Sequence, residues 1–226
     1  AGLVIGGRFL LFSSSIFALS EVVVEDQGSR VQGSEGSRAP QLEQRLRKSL
    51  GNNWLFLKAQ EAVRALGDDP KVKVLSVQRP FPGKVVVKVE NRKPFAVLDL
   101  GPLFLVDEDG VVFAQASPQE AETLKIPRII GAAPVVVGEK ASDPYLLTSL
   151  SLIKTAKEKG WDLRRLWLSG ETIKASSPEG QVVFGQREFE TQLERLNAAK
   201  GEVAKMGVTS TGYDLRFKDQ VVVSVR

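Results

Sequence analysis

The hydrophobic and polar positions change period several times along the chain, and each change marks an element. Leu19 to Glu25 is β-branched and predicts a strand, and Gln27 to Ala39, rich in Gly and Ser, predicts a loop. Pro40 opens a helix over Gln41–Leu50, with Leu42, Leu46 and Leu50 at i, i+4, i+8, and Gly51 stops it. After the short apolar segment Trp54–Leu57, Lys58–Leu66 predicts a second helix with Ala59, Ala62, Val63 and Leu66 on one face and Gly67 as its cap. The period then falls to two. Val72, Val74 and Val77 alternate with Lys71, Lys73, Ser76 and Gln78. Arg79-Pro80-Phe81-Pro82-Gly83 turns the chain, and Val85, Val87 and Val89 alternate with Lys84, Lys88 and Glu90. The first hundred residues therefore read β-α-α-β-β, a small sheet with two helices on one face.

The remainder reads as a second unit. Phe95–Leu100 and Leu103–Val106 predict short strands around Gly101-Pro102. Asp107-Glu108-Asp109-Gly110 predicts a tight turn, and Val111-Val112-Phe113 the returning strand. Ile126–Gly131 reads as a loop or edge strand, and Val135–Val137 as a short strand. Tyr145–Glu158 reads as a helix behind the Asp143-Pro144 start signal. Leu163–Leu168, Thr172–Ala175 and Gln181–Phe184 predict three successive strands. Arg187–Ala199 predicts an amphipathic helix with Phe189, Leu193 and Leu196 inward. Gly212–Phe217 and Gln220–Arg226 predict a final strand pair across Lys218-Asp219. No repeat of fixed period is present. The fold class is α+β.

Composition narrows the chemistry. The 226 residues are 42% hydrophobic and 26% charged, so a sizeable core is affordable and wholesale disorder is excluded. The chain has no cysteine and no histidine, which excludes disulfides, thiol nucleophiles, thiolate or imidazole zinc sites and Ser-His-Asp triads. Fifteen of the 31 basic residues but only ten of the 27 acidic ones lie in the first hundred positions. Those cations are spread out and lack interleaved aromatics, so they predict a solvated basic face, one that could lie near anionic lipid, rather than a nucleic-acid site.

The chain does not begin with Met and reads as processed or trimmed. Its first nineteen residues are apolar apart from Arg8 and the serines Ser13 to Ser15. Three readings stand side by side: the outer end of a transmembrane helix, a signal-peptide remnant, or ordinary buried structure.

Candidate catalytic constellations are few. Asp107, Glu108 and Asp109 could hold a cation, but an acidic run between two Val-rich strands reads more simply as a hairpin turn. Ser151-Leu-Ile-Lys154 has the spacing of penicillin-recognising acyltransferases without their companion elements. Gly131 to Lys140 has P-loop-like glycines at the wrong spacing, with no Ser or Thr after the lysine. Trp54, Trp161 and Trp167 read as core or sheet-face aromatics. No catalytic residue, cofactor site, metal site or small-molecule substrate is expected.

Seven motifs in order resemble the FtsQ/DivIB family of bacterial division proteins. Phe17-Ala-Leu-Ser-Glu-Val-Val-Val is like the strand that opens its POTRA domain. Pro70-Lys-Val-Lys-Val-Leu-Ser-Val-Gln-Arg-Pro-Phe-Pro-Gly-Lys-Val-Val-Val-Lys-Val-Glu90 resembles the hairpin of that domain. Asn91-Arg92-Lys93-Pro94-Phe95-Ala96 resembles the crossing into the next domain. Phe104-Leu-Val-Asp-Glu-Asp-Gly-Val-Val-Phe113, Ile126-Pro-Arg-Ile-Ile-Gly131, Val183-Phe184-Gly185 and Tyr213-Asp-Leu-Arg-Phe217 are similar to later family segments. The segment Asp26–Ala39 departs from the family, with a Gly/Ser-rich loop in place of its usual motif.

The resemblance implies a membrane-span remnant or membrane-proximal segment over 1–16, a POTRA domain over 17–93 and a β domain over 94–226. It implies a non-catalytic single-pass protein of the inner membrane, its bulk extracytoplasmic and at the division septum. Such a protein binds FtsB/DivIC-type and FtsL-type subunits and helps regulate septal peptidoglycan synthesis. The partner strand is expected to add to Phe217, Lys218, Asp219, Gln220, Val221, Val222, Val223, Ser224 and Val225, where alternating Val residues on an edge strand offer unpaired backbone groups. The POTRA surface around Val72 to Val89 is a second candidate. The alternative is a POTRA-containing transport or outer-membrane assembly factor, which would need a barrel of long alternating strands after the POTRA unit.

Overall fold

A computed structural model describes residues 19–26, 38–50, 64, 66, 69–81, 83–178 and 180–225. The loop over 27–37, the segment Trp54–Leu57, most of the expected second helix and the apolar stretch before Leu19 lie outside the described residues; Arg64 and Leu66 are helical. The chain divides into two compact units between Arg92 and Lys93.

In the first unit, β1 (Glu21–Asp26), β2 (Val72–Gln78) and β3 (Lys84–Asn91) form a sheet of order β1-β3-β2, and α1 spans Arg38–Leu50. β3 is central, parallel to β1 and antiparallel to β2. Val22, Val24, Val72, Val85, Val87 and Val89 are buried with Leu42 and Leu46 of α1 and Leu66. The opposite face is written in charge. Glu21 lies opposite Lys84, Glu25 opposite Lys88 and Lys73 opposite Glu90, with ion pairs of 3.1, 3.5 and 4.0 Å. Opposite charges placed directly across a ladder favour this register over a slipped one. They also correct the picture of a basic face, because three of its lysines are balanced within the sheet.

In the second unit, nine strands follow: β4 (Ala96–Asp99), β5 (Leu103–Val106), β6 (Val112–Ala116), β7 (Arg128–Ile130), β8 (Arg165–Ser169), β9 (Thr172–Ser177), β10 (Gly180–Phe184), β11 (Ser210–Asp214) and β12 (Val222–Val225). They form one sheet of order β12-β11-β10-β9-β8-β7-β4-β5-β6. Helices α2 (Pro118–Thr123), α3 (Pro144–Glu158) and α4 (Phe189–Met206) flank it. A row of directly paired residues crosses the sheet: Leu98, Ile129, Leu166, Ala175, Val182 and Tyr213. All six are buried, together with Leu146, Leu150, Leu152 and Ile153 of α3 and Leu193 and Leu196 of α4. On the other face, Val97, Leu103, Leu105 and Phe113 pack with Ala121 of α2.

Four points differ from the expectations. Within Ile126–Gly131, Arg128–Ile130 is a strand and not an edge: β7 sits inside the sheet, parallel to both β4 and β8, because the strands that flank it come from distant parts of the chain. Val135–Val137 is not a strand. Pro134 and Gly138 bracket it, and Val136 and Val137 are exposed. Helix α2 was not foreseen, although Ser117-Pro118-Gln119-Glu120 carries its signal: the Ser117 hydroxyl accepts from the Glu120 amide at 3.2 Å, and Pro118 lies in the first turn. Helix α4 also runs on to Met206, past the expected end at Ala199.

One glycine fixes how closely β10 and β11 approach. Gly180 has φ +118°, and a Cβ there would stand 2.6 Å from the Thr211 carbonyl oxygen. A backbone oxygen cannot swing aside. Gly180→Ala is expected to cost about 2–3 kcal/mol. Urea unfolding of the purified chain checks this, and an unchanged midpoint would mean the strands are not in close contact there.

Candidate partner-binding edge

The C-terminal edge is built by a crossover. β10 and β11 run parallel, so the chain must return between them, and α4 makes that return. Phe184 and Val182 on β10 and Phe189, Leu193 and Leu196 on α4 are buried in one core. β12 then pairs antiparallel with β11, Asp214 opposite Val222, Tyr213 opposite Val223 and Gly212 opposite Ser224, with a register shift at Thr211.

The expected site residues separate by position. Val221 and Val223 are half-buried and pack against the core. Phe217, Val222 and Val225 are 42%, 48% and 57% exposed, values that leave their apolar faces in water. Lys218, Asp219, Gln220 and Ser224 are exposed. Phe217–Asp219 form a bend, and the regular strand begins at Val222, two residues later than expected. Met206 (72% exposed) and Val208 (41%), just before β11, are also exposed apolar residues, and the sequence reading did not single them out.

The two edges of the large sheet are treated differently. At β6 the loop after Ile130 pairs with the start of the strand: Val112 donates its N–H to Glu139 (3.0 Å) and accepts from Gly138 (2.7 Å), and Val111 bridges to Lys140. Among the described residues β12 pairs with β11 alone. Its four residues include no charge and no proline, the two usual guards of an edge.

The bend before β12 is held from two sides. Leu215 is buried, and its N–H donates to Val183 (2.9 Å). Arg216 donates to both carboxylate oxygens of Asp214, at 3.0 and 3.1 Å from Nε and 2.6 Å from Nη2. These bonds hold the Asp214 carboxyl below the usual carboxylate range, against a smaller opposing effect of partial burial.

The second candidate surface is only partly available. Val85, Val87 and Val89 are buried on the central strand of the first unit, which leaves β2, bulged between Val74 and Ser76 with Leu75 exposed. The other constellations do not assemble. The Asp107 carboxylate accepts from the N–H groups of Asp109 (3.1 Å) and Val111 (2.8 Å), so it caps a turn. Ser151 is exposed, and Lys154 is ion-paired with Glu108. That pairing raises the Lys154 pKa and favours its charged form, the opposite of what a general base needs. No cluster of three metal-ligating side chains occurs among the described residues. Trp161 is buried and Trp167 half-buried, as expected of core and sheet-face aromatics; Trp54 lies outside the described residues.

A β-α-β-β module with a parallel outer strand has the arrangement of a POTRA domain, and an open nine-stranded sheet follows it. Residues 30–92 match the family model of the FtsQ-type POTRA domain. The chain is 31% identical over 172 residues to cell division protein FtsQ of Anaeromyxobacter sp. (strain K), covering 69% of this chain and 57% of that protein. It is 25% identical over 168 residues to FtsQ of Myxococcus fulvus, covering 71% and 58%. The match to FtsQ of Rhizobium meliloti, 24% identical, runs over 99% of this chain and 70% of that protein. The chain thus belongs to the FtsQ family of cell division proteins. It spans less than three-fifths of the length of the first two relatives.

The Asp214–Arg216 pair gives a pH-dependent outcome. A depressed carboxylate pKa contributes stability that is present above the unfolded-state value, about 3.9, and is lost as pH falls through the folded-state value. Asp214→Asn should therefore lower the melting temperature at neutral pH, and the difference from wild type should shrink through the acid range below pH ~4. Thermal unfolding followed by circular dichroism across pH checks this; a difference that is constant with pH would contradict it.

Proposed function

We propose that this chain is a non-catalytic scaffold of the bacterial divisome. In this reading a membrane span N-terminal to the POTRA unit anchors it in the inner membrane, with its bulk extracytoplasmic at the septum. It binds FtsB/DivIC-type and FtsL-type subunits and through them helps regulate septal peptidoglycan synthesis. The observation that carries the reading is the unguarded β12 edge. A strand with free backbone donors and acceptors, next to exposed Phe217, Val222 and Val225, offers a partner ladder hydrogen bonds and apolar contact together. FtsQ membership supports the cell-division setting. No helix among the described residues is long and apolar enough to cross a membrane, so the proposed anchor falls on the segment before Leu19.

The alternative transport reading wants a barrel. Strands β4 to β12 are three to six residues long and form an open sheet, whereas a membrane-spanning strand needs about 9–11. Nothing favours that reading over a contact scaffold.

Titration of the purified chain with the extracytoplasmic segment of the FtsB-type subunit from the same organism tests the proposal. Wild type should bind. Phe217→Ala should weaken binding, and Val222→Pro should weaken it at least ~tenfold, since proline removes a ladder donor and fits strand addition badly. Circular dichroism confirms that each variant is folded. Binding that ignores both substitutions would displace the site from β12, and a folded wild type that does not bind would overturn the partner assignment.

A further inference from the structure

From the α4 side, one side chain also holds the segment that leads into β12. Arg195 Nη1 donates to the carbonyl oxygens of Phe217 and of Lys218 (2.5 Å), and its Nη2 donates to that of Leu215 (3.2 Å). One guanidinium thus serves three of the four carbonyls between Leu215 and Lys218. These are charge-assisted bonds from a planar, forked donor, stronger and more directional than neutral ones. They offset the cost of its Nε, which is buried without a partner.

One turn earlier on the same helix, Gln192 makes the equivalent connection to the exit of β10. It accepts from the Gly185 N–H at 2.9 Å and donates to the Arg187 carbonyl at 2.5 Å. Side chains three apart lie on one face of a helix. Gln192 and Arg195 therefore form a polar ridge that ties α4 to the exit of β10 and to the exit of β11. The two ties differ in what lies beyond them. Gln192 is buried and secures a strand held on both sides, while Arg195 secures the lead-in to a strand held on one side only.

We propose that Arg195 is the positioning residue of the partner-binding edge: by clamping the Leu215, Phe217 and Lys218 carbonyls it fixes the register and exposure of β12 before a partner strand arrives. The inference rests on the edge-docking reading above and adds to it a residue outside the edge itself. Its physical content is preorganisation. Residues 217–221 have no ladder partner among the described residues, and without the clamp β12 would sample frayed positions that a partner must pay to reorder.

The test uses the same chain with Arg195→Met, which keeps the aliphatic stem and loses the donors, and Arg195→Lys, which keeps the charge and one flexible donor. Two readouts are taken: hydrogen exchange of amides in 217–225 without partner, and affinity for the FtsB-type segment. The expected result for Arg195→Met is exchange at least ~tenfold faster in 217–225, with β8 and β9 unchanged, and affinity reduced about tenfold through slower productive association or faster release. Arg195→Lys should fall between Met and wild type in both. Should Met fail to fold, Lys carries both readouts. Faster exchange with unchanged affinity would make the clamp purely structural and overturn the proposal, as would unchanged exchange. A wild type that fails to bind, or a Val222→Pro variant that binds as well as wild type, instead sinks the edge-docking reading, and the role assigned to Arg195 goes with it.

Discussion

Parallel strands cannot be joined by a hairpin, and the C-terminal edge depends on that constraint. Because β11 runs parallel to β10, the chain must leave the sheet, travel the length of α4 and re-enter beside its own upstream strand. The return works only if α4 packs flat on the sheet, which the burial of Leu193, Leu196, Phe184 and Val182 secures. It also needs β11 to approach closely, which the missing side chain of Gly180 allows. Once β11 is placed, the remaining residues have one hydrogen-bonding position left, the outer side of β11. β12 fills it and becomes the edge.

The two units handle strand edges by different means. In the first, lysine and glutamate side chains stand opposite one another on the solvent face, and β2 carries a bulge. In the second, the Gly138–Lys140 loop pairs with the start of β6, and β12 has neither charge nor proline and, among the described residues, no cover. An uncovered, uncharged edge is a liability for a protein working alone. It suits an FtsQ-family protein whose proposed work is to hold other chains. Around that edge the polar groups are heavily tied: Arg216 to Asp214, Arg195 to three carbonyls, Leu215 to Val183. The backbone leading into the strand is held firmly, and the strand's outer side is left open.

Much of this was legible in the amino-acid order. The alternation of Val72 to Val77 and Val85 to Val89 gave β2 and β3, and the Leu42–Leu46 spacing gave the buried stripe of α1. Asp143-Pro144 marked the start of α3, whose Asp143 carboxylate caps the Tyr145 N–H at 2.9 Å. These are local signals, because a period of two or of 3.6 residues is set by neighbours in the chain. The same order, through its family motifs, also pointed to a last strand, of which Val222–Val225 pairs with β11. The short α2 was equally local in origin but went unread, since six residues are too few to show a helical period.

What only the tertiary structure decided is which strands stand side by side. Ile126–Gly131 carries too few residues to declare its rank, and its Arg128–Ile130 became an interior strand because β4 and β8, encoded far apart, flank it. The sequence could not show that the Gly138–Lys140 loop returns to the start of β6 while β12 pairs with β11 alone among the described residues, for a covering loop is a matter of where a chain returns in space. Nor could it show Arg195, the single arginine of α4, reaching carbonyls that lie 20 to 23 residues away in the chain. Side-chain pattern determines each element by its own sequence. Backbone hydrogen bonding between elements depends on burial of the whole sheet, and it is that burial which set the edge.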